Sequence, residues 1–191
     1  KEGLIANKIS KIYGIFNGTS NYILSSMDKL NKDFKEVLTD AQQLGYAETN
    51  PSADLNGNDV SAKLKILTSL CFNSFLNNNI HVEGILNIDK IDIDNANKLG
   101  YKIKLLGFSE LINKKIYQRV HPTLIKKSSY VASIDGVLNA VIVYGNPVGQ
   151  SVIQGEGAGP AATTSALISD ISSILRGNTK FPFSISNSER K

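Results

Sequence analysis

The sequence predicts an α+β fold in which a mixed, largely antiparallel sheet is covered by helices on one face. Helical periodicity is concentrated before residue 73 of the 191 residues, whereas strand-like segments dominate after residue 100. Helices and strands also do not alternate, as they would in the β-α-β units of a parallel sheet. We therefore predict one domain over residues 1–177, followed by a polar tail over residues 178–191.

Turn and capping residues define the first elements. Residues 9–16 are rich in β-branched and aromatic side chains and end at Asn17-Gly18, which predicts a strand and a tight turn. Thr19 or Ser20 can then cap a helix that continues to residue 30. Two further helices are predicted over residues 34–44, where Gly45 is a typical stop, and over residues 58–72.

The second half of the chain is predicted to be mainly strands. The polar tract 73–79 interrupts the chain, residues 81–85 suit a short strand, and residues 92–99 suit a helix that ends at Gly100. The apolar residues 101–109 fit either a strand or a helix. Strands separated by Gly, Pro and Asn, and then a last helix, complete the prediction: strands 118–125, 140–144 and 150–153, and helix 160–175.

Composition excludes several classes of function. The chain is 41% hydrophobic and 20% charged, and no apolar run approaches the ~20 residues that cross a bilayer, so we expect a soluble, cytoplasmic protein. Cys71 alone cannot form an internal disulfide, and His81 and His121 lack partners at ligand spacing, so no metal site is expected. The net charge of +4 comes from scattered lysines, which argues against nucleic-acid binding.

The glycine-rich stretch QGEGAGP (residues 154–160) has the appearance of a dinucleotide-binding turn. That fold needs a second parallel strand after the following helix, and the remaining sequence offers none. Gly155, Gly157 and Gly159 still permit close backbone approach, so free N–H groups before Pro160 could meet a phosphate or an amide. The alternative is a tight turn packed under other backbone.

The stretch AETNPSADLNGNDVSAKLK (residues 47–65) leads into helix 58–72 and carries an unusual density of charge. At 100° per residue, Asp59 and Lys63 fall within the apolar arc of this helix, so we predict that they pair and that Lys63 is at least partly buried. The apolar arc contains Val60, Leu64, Leu67 and Cys71 with Ile66 and Leu70 beside them, and the opposite, solvated side contains Ser61, Lys65 and Thr68.

A lysine paired with a carboxylate in a dry site is a candidate functional residue, although a structural ion pair is the alternative. Glu48 and Asp54 lie upstream in a loop interrupted by Pro51, and we expect them to converge with Asp59 near Lys63. Such a cluster could bind an ammonium group of a ligand while the lysine serves an oxygen. The alternative for Glu48 and Asp54 is that each is a solvated loop carboxylate.

Three motifs closely resemble the substrate-binding and catalytic domain of homoserine dehydrogenase. They are GIFNGTSNYILSSM (residues 14–27), LGYAETNPSADLNGNDVSAKLKIL (residues 44–67) and QGEGAGPAATTSALISDI (residues 154–171). They occur in the family's order and span most of the chain. The resemblance implies NADPH- or NADH-dependent reduction of L-aspartate 4-semialdehyde to L-homoserine, on the route to threonine, methionine and isoleucine.

The resemblance also implies roles for individual residues. Lys63 would donate a proton to the aldehyde oxygen and be oriented by Asp59. Substrate binding would involve Glu48, Asp59, Asp54, Tyr46, Gly18 and Thr19, and Gly155 and Gly157 would contact the cofactor.

Compared with the family pattern, we expect this sequence to be without the nucleotide-binding domain, its phosphate-binding loop, a second active-site lysine and a monovalent-cation site. We expect NADP or NAD to be bound mainly by that absent domain, and the chain alone to transfer no hydride. The resemblance further implies a homodimer formed through the sheet, with strands 140–144 and 150–153 as candidates. A non-catalytic dimerisation or amino-acid-sensing module is the alternative, but such a module has no need of Lys63.

Overall fold

The computed structural model describes residues 2–73 and 80–178, and most of the predicted polar tract and tail lies outside these residues. The first elements are β1 (Lys8–Ile15), α1 (Gly18–Leu30), α2 (Phe34–Gln43), α3 (Ser52–Leu55), α4 (Asn58–Phe72) and β2 (His81–Val82). They are followed by α5 (Lys90–Lys98), β3 (Tyr101–Ile112), β4 (Lys115–Lys126), β5 (Leu138–Asn146), β6 (Gly149–Glu156) and α6 (Pro160–Leu175). Short 3₁₀ turns occur at Glu2–Leu4 and Tyr130–Ser133.

Within the described residues, six strands form one sheet in the order β2-β4-β3-β1-β5-β6. The β2–β4 pair is parallel and every other pair is antiparallel, so the predicted mixed, largely antiparallel sheet is confirmed. Residues 101–109, for which either type was expected, lie in strand β3. Its hairpin with β4 turns at Asn113 and Lys114, which both have positive φ, as a two-residue type I′ turn requires.

Helices α1, α2, α4 and α5 cover one face of the sheet, as predicted, and share a buried apolar core with it. Gly107 is required in this layer because a side chain there would meet the Phe16 ring at 2.7 Å. The core residues contributed by helices include Ile23, Leu24, Met27, Val37, Val60, Leu64 and Ile93, and those contributed by strands include Ile12, Ile103, Leu105, Val120 and Val143.

The opposite face of the sheet is covered only in part. A smaller apolar cluster lies beneath the 3₁₀ turn at Tyr130–Ser133 and includes Ile15, Leu106 and Ile142. Further along the strands, aromatic rings surround Lys11, whose Nζ lies 4.4 Å from the centre of the Tyr144 ring. Helix α6 has no buried residue. Among the described residues, no helix is both long enough and apolar enough to cross a membrane.

The predicted faces of helix α4 are only partly correct. Lys65 is exposed, as expected, but Ser61 and Thr68 are buried (8% and 0% exposed) and Ile66 is 54% exposed. The hydroxyl of Thr68 accepts a hydrogen bond from Gln118 Nε2 of β4 at 2.8 Å, which satisfies this polar group inside the core. The buried arc is therefore rotated toward small polar residues that a hydropathy pattern assigns to solvent.

Two short elements also differ from the prediction. The helical turn α3 was not expected, because four residues are too few to show periodicity. Strand β2 is shorter than the predicted 81–85, because Gly84 packs directly on the backbone of Leu55 and Asn56 and leaves the sheet there.

Candidate active site

The site begins where β1 passes into α1, at Asn17, which is the N-cap of α1 in place of the predicted Thr19 or Ser20. Its Oδ1 accepts hydrogen bonds from the Ser20 backbone N–H at 2.8 Å and the Ser20 hydroxyl at 2.6 Å, which fixes the side chain. The Nδ2 group therefore points outward and donates to Asp54 Oδ1 at 2.7 Å and Asp59 Oδ2 at 2.9 Å. Asn17 is only 5% exposed, so one buried amide holds two carboxylates from different elements.

Asp59 also fixes a lysine. Gly57, at φ 83°, turns the chain from α3 into α4, so Asp59 lies in the first turn of α4 and Lys63 one turn later. Lys63 Nζ donates to Asp59 Oδ2 at 2.8 Å and to the Phe16 carbonyl at 3.1 Å. An ammonium has three donors. Within the described residues, the third donor of Lys63 is left for a ligand.

The predicted pairing of Lys63 with Asp59 is confirmed, but its predicted burial is wrong. The Lys63 side chain is 45% exposed and that of Asp59 is 26% exposed. The burial differs because the apolar arc of α4 is turned toward Ser61 and Thr68. Lys63 therefore differs from the exposed Lys65 in its partners, since the Lys65 side chain makes no hydrogen bond or ion pair within residues 2–73 and 80–178.

Asp54, Asp59 and Lys63 open onto a cavity of about 450 Å³. Its rim contains Tyr46, whose carbonyl accepts a 2.6 Å hydrogen bond from the Thr19 hydroxyl and whose ring lies 5.0 Å from that of Tyr22. Three carboxylates and one ammonium give the cavity a net negative charge. The lining comprises Asn17, Gly18, Thr19, residues 44–46, Asp54, Asp59, Lys63, Val137, Asn139 and residues 156–159.

Comparison with known proteins assigns the chain to a family. A profile described as homoserine dehydrogenase matches residues 1–172, which is most of the chain. The chain belongs to the homoserine dehydrogenase family. The homoserine dehydrogenase of Neisseria gonorrhoeae is 48% identical over 177 residues, which cover 92% of this chain and 41% of that protein. The chain thus spans about two fifths of the length of such relatives.

Solved homoserine dehydrogenases share the fold. The crystal structure from Thiobacillus denitrificans has a TM-score of 0.89 and 43% identity, and the match covers 95% of this chain and 42% of that one. A hyperthermophilic archaeal homoserine dehydrogenase mutant in complex with NADPH has a TM-score of 0.75 and 25% identity, with coverage of 91% and 49%.

Most site residues expected from the homoserine dehydrogenase resemblance line the cavity: Gly18, Thr19, Tyr46, Asp54, Asp59, Lys63 and Gly157. Glu48 and Gly155 do not. Glu48 is exposed in the turn after α2, where its backbone carbonyl accepts from Gln42 Nε2 at 3.2 Å, so the expected convergence with Lys63 is not observed. Gly155 is exposed within β6, with open space where a side chain would be.

Sequence reasoning missed several lining residues of this homoserine dehydrogenase domain, among them Asn17, Val137, Asn139 and Glu156. Asn17 carried a signal, because an Asn before Gly-Thr at a helix start is a typical N-cap. Asn139 carried none, since it meets Gly157 only through the pairing of β5 with β6. A side chain at Gly157 would collide with Asn139, so packing accounts for this glycine. The Asn139 Oδ1 is buried without a hydrogen-bond partner among the described residues.

Proposed function

We propose that this chain supplies the substrate-binding and proton-donating side of a homoserine dehydrogenase, which reduces L-aspartate 4-semialdehyde to L-homoserine. One observation carries the proposal: the Lys63 ammonium is fixed at the cavity by Asp59 and the Phe16 carbonyl, with one N–H left over. A fixed ammonium is suited to protonate an aldehyde oxygen. NADP or NAD, when bound, supplies the hydride.

Lys63 acts on the oxygen side of the reaction. As the aldehyde carbon gains a hydride, negative charge develops on its oxygen, and a charged donor already in position stabilises that charge. Transfer of the Lys63 proton completes the alcohol and leaves a neutral amine, which solvent can reprotonate because the side chain is 45% exposed. Asp59 and the Phe16 carbonyl hold Nζ in place throughout.

The carboxylates of the cavity suit the amino group of the substrate. Asp59 Oδ2 is occupied by Lys63 and Asn17, and Asp54 Oδ1 by Asn17, whereas Asp54 Oδ2 and the Glu156 carboxylate have no such partner among the described residues. A substrate ammonium can therefore bind Asp54 without breaking an existing hydrogen bond. Glu48 is retained as a substrate contact on the family resemblance alone.

The cofactor fits the edge of the same cavity. The backbone of residues 157–159 borders it, and open space lies beside Gly159 at the start of α6. We propose that Gly157 contacts NADP or NAD in this turn. Gly155 lies outside the cavity lining, so we propose that it contacts the cofactor only at the outer edge of the cavity. Because the chain spans about two fifths of the length of such relatives, we assign most cofactor contacts to a nucleotide-binding part of the completed enzyme.

The test uses the completed enzyme, meaning this chain joined to a nucleotide-binding part as in its longer relatives. Asp54→Asn should raise the KM for L-homoserine about tenfold or more, because a charge-assisted hydrogen bond contributes about 1.5–3 kcal/mol. Glu83→Gln is the control, since Glu83 does not line the cavity. Equal KM values for Asp54→Asn and the wild type would contradict substrate binding at this cavity.

The alternative function, a non-catalytic dimerisation or amino-acid-sensing module, is not favoured by the family assignment. It also leaves the Lys63 contacts without a purpose, because binding an amino acid requires no proton donor. The completed enzyme separates the two functions, since a sensing module would bind L-homoserine without oxidising it. Absence of turnover in the presence of bound L-homoserine and cofactor would favour the module.

We also propose a homodimer through the open face of the sheet. Tyr13, Phe108 and Tyr144 lie there around Lys11, and Val152 on the neighbouring strand is 39% exposed. Burial, and then the neighbouring Tyr144 hydroxyl, raise the pKa of Tyr13 to about 12, so its ring remains neutral in an interface. Sedimentation velocity should show a dimer for the wild type and a monomer for Val152→Glu. A monomeric wild type would refute this interface.

A further inference from the structure

One wall of the cavity is formed by residues 134–139, which lead into β5 and include its first two residues; this stretch is here called the wall segment. Helix α1 binds it along one stripe, because Asn21, Ser25 and Lys29 are spaced four residues apart and share a face. Their contacts are Asn21 Nδ2 with the carbonyls of Ile134 and Leu138 (both 3.1 Å), Ser25 Oγ with the Gly136 N–H (3.0 Å) and Lys29 Nζ with Asp135 Oδ2 (3.0 Å).

Lys104 binds the wall segment from the other side. It lies in β3 and is only 1% exposed, which makes it the largest fully buried side chain among the described residues. Its Nζ donates to the Ile134 carbonyl at 2.6 Å, to Asp135 Oδ1 at 2.7 Å and to Asn21 Oδ1 at 3.0 Å. All three donors are used, so this one ammonium joins the sheet, helix α1 and the wall segment.

The wall segment touches both ends of the cavity. The Val137 carbonyl lies 2.7 Å from where a side chain at Gly18 would begin, on the substrate side. Asn139 packs against Gly157, on the cofactor side. Because the contacts at both ends are this close, a movement of the wall segment disturbs the packing at Gly18 and at Gly157.

A stability role alone does not explain Lys104. Replacing a buried ion pair with apolar residues of similar volume is often neutral or stabilising. A buried ammonium with three directed hydrogen bonds does something that an apolar side chain cannot, because it fixes the distance and orientation of the groups that it joins. Burial is the largest influence on Lys104 and lowers its pKa, while the hydrogen bond and charge of Asp135 oppose that change.

We propose that Lys104 is a positioning residue for the dehydrogenase reaction: together with Asn21 it fixes the wall segment, and so sets the alignment of substrate and nicotinamide across the cavity. The proposal rests on the proposed function. Hydride transfer requires the reacting atoms to be about 3–3.5 Å apart, and a displacement of about 1 Å can lower the rate about 10²-fold. Lys104 therefore acts on kcat without touching the substrate.

The kinetic test replaces Lys104 with Met, which is unbranched like Lys but lacks the terminal ammonium. In the completed enzyme, Lys104→Met should lower kcat for L-homoserine about 10²-fold and change KM by only a few fold. Ile93→Ala is the stability-matched control, because Ile93 is buried in α5 and does not line the cavity. An equal loss of kcat in both variants would overturn the proposal.

A double variant separates positioning from stability and remains useful if Lys104→Met does not fold. Lys104→Met/Asp135→Asn removes both charges of the buried pair, so we expect its melting temperature to lie above that of Lys104→Met, although the bonds of Asp135 to Lys29 and Lys102 are also lost. Its kcat should remain about 10²-fold low, because the wall segment has lost its directed bonds. Recovery of kcat together with the melting temperature would show a merely structural role and overturn the proposal.

A structural readout separates this proposal from the proposed function. In amide ¹H–¹⁵N spectra of the chain, the double variant should shift the signals of Val137, Asn139 and Gly18, whereas Ile93→Ala should leave them in place. Unshifted signals would overturn the positioning role whatever the activity. A wild-type completed enzyme without turnover would instead contradict the proposed function, and shifted signals would then still support the positioning of the wall by Lys104.

Discussion

Replacing Asn17 with alanine removes the buried amide that joins the two carboxylates of the site. Loss of the N-cap bond to Ser20 should cost about 1 kcal/mol. Loss of each hydrogen bond from Nδ2 to a carboxylate adds about 1.5 kcal/mol. This value is at the low end of the range for hydrogen bonds to charged groups, because the Asp59 side chain is 26% exposed and can bind water instead. We therefore expect Asn17→Ala to lower the free energy of unfolding by about 4 kcal/mol.

Urea unfolding followed by circular dichroism measures this loss, provided that one transition is observed. Asp89→Ala is the matched control, because the Asp89 side chain caps α5 by accepting from the Asp92 N–H at 3.0 Å and joins no carboxylates from other elements. Asp89→Ala should lower the free energy of unfolding by about 1 kcal/mol. If Asn17→Ala costs no more than Asp89→Ala, the two bonds to Asp54 and Asp59 do not hold the site together, and the reasoning fails.

Two further predictions concern Glu48 and Asp135. Glu48→Gln in the completed enzyme should raise KM for L-homoserine with little change in kcat; an unchanged KM would remove Glu48 from the site, in agreement with its position outside the cavity lining. Burial alone would raise the pKa of Asp135, but hydrogen bonds from Lys104 and Lys29 outweigh it and hold the pKa below 3.8. A carboxyl group whose pKa is lowered by folding stabilises the folded state at pH values above its pKa in the unfolded chain. This stabilisation is lost as the pH falls through the pKa of the folded state. Asp135→Asn should therefore lower the free energy of unfolding more near pH 6 than near pH 3, as measured by urea unfolding. A cost independent of pH would contradict this.

The fold was largely predictable because its signals are local. Asn17-Gly18 ends β1 and begins α1, Gly45 follows α2, and Gly100 separates α5 from β3, and each of these depends on residues adjacent in sequence. Residues 101–109 were ambiguous because β3 lies in the middle of the sheet and is buried along most of its length, so it lacks the alternation of a half-exposed strand.

The site was predictable along one helix but not across elements. The spacing of Asp59 and Lys63 places them one turn apart wherever α4 packs, so their pairing followed from sequence. Burial did not follow, because it depends on how α4 is rotated against the sheet, and a hydrogen bond from Gln118 allows Thr68 to be buried. Asn139 could not be identified, because only the β5–β6 hairpin brings it to Gly157.

The most direct test of the central claim compares the two neighbouring lysines of α4 in the completed enzyme. If Lys63 protonates the aldehyde oxygen, Lys63→Ala should lower kcat by about 10²- to 10⁴-fold, the usual contribution of a general acid. Lys65→Ala should leave kcat within about twofold, because exposed residues away from special features tolerate substitution. Both lysines are exposed, but Lys63 alone of the two lines the cavity and contacts Asp59 and the Phe16 carbonyl. Equal effects of the two substitutions would contradict the account.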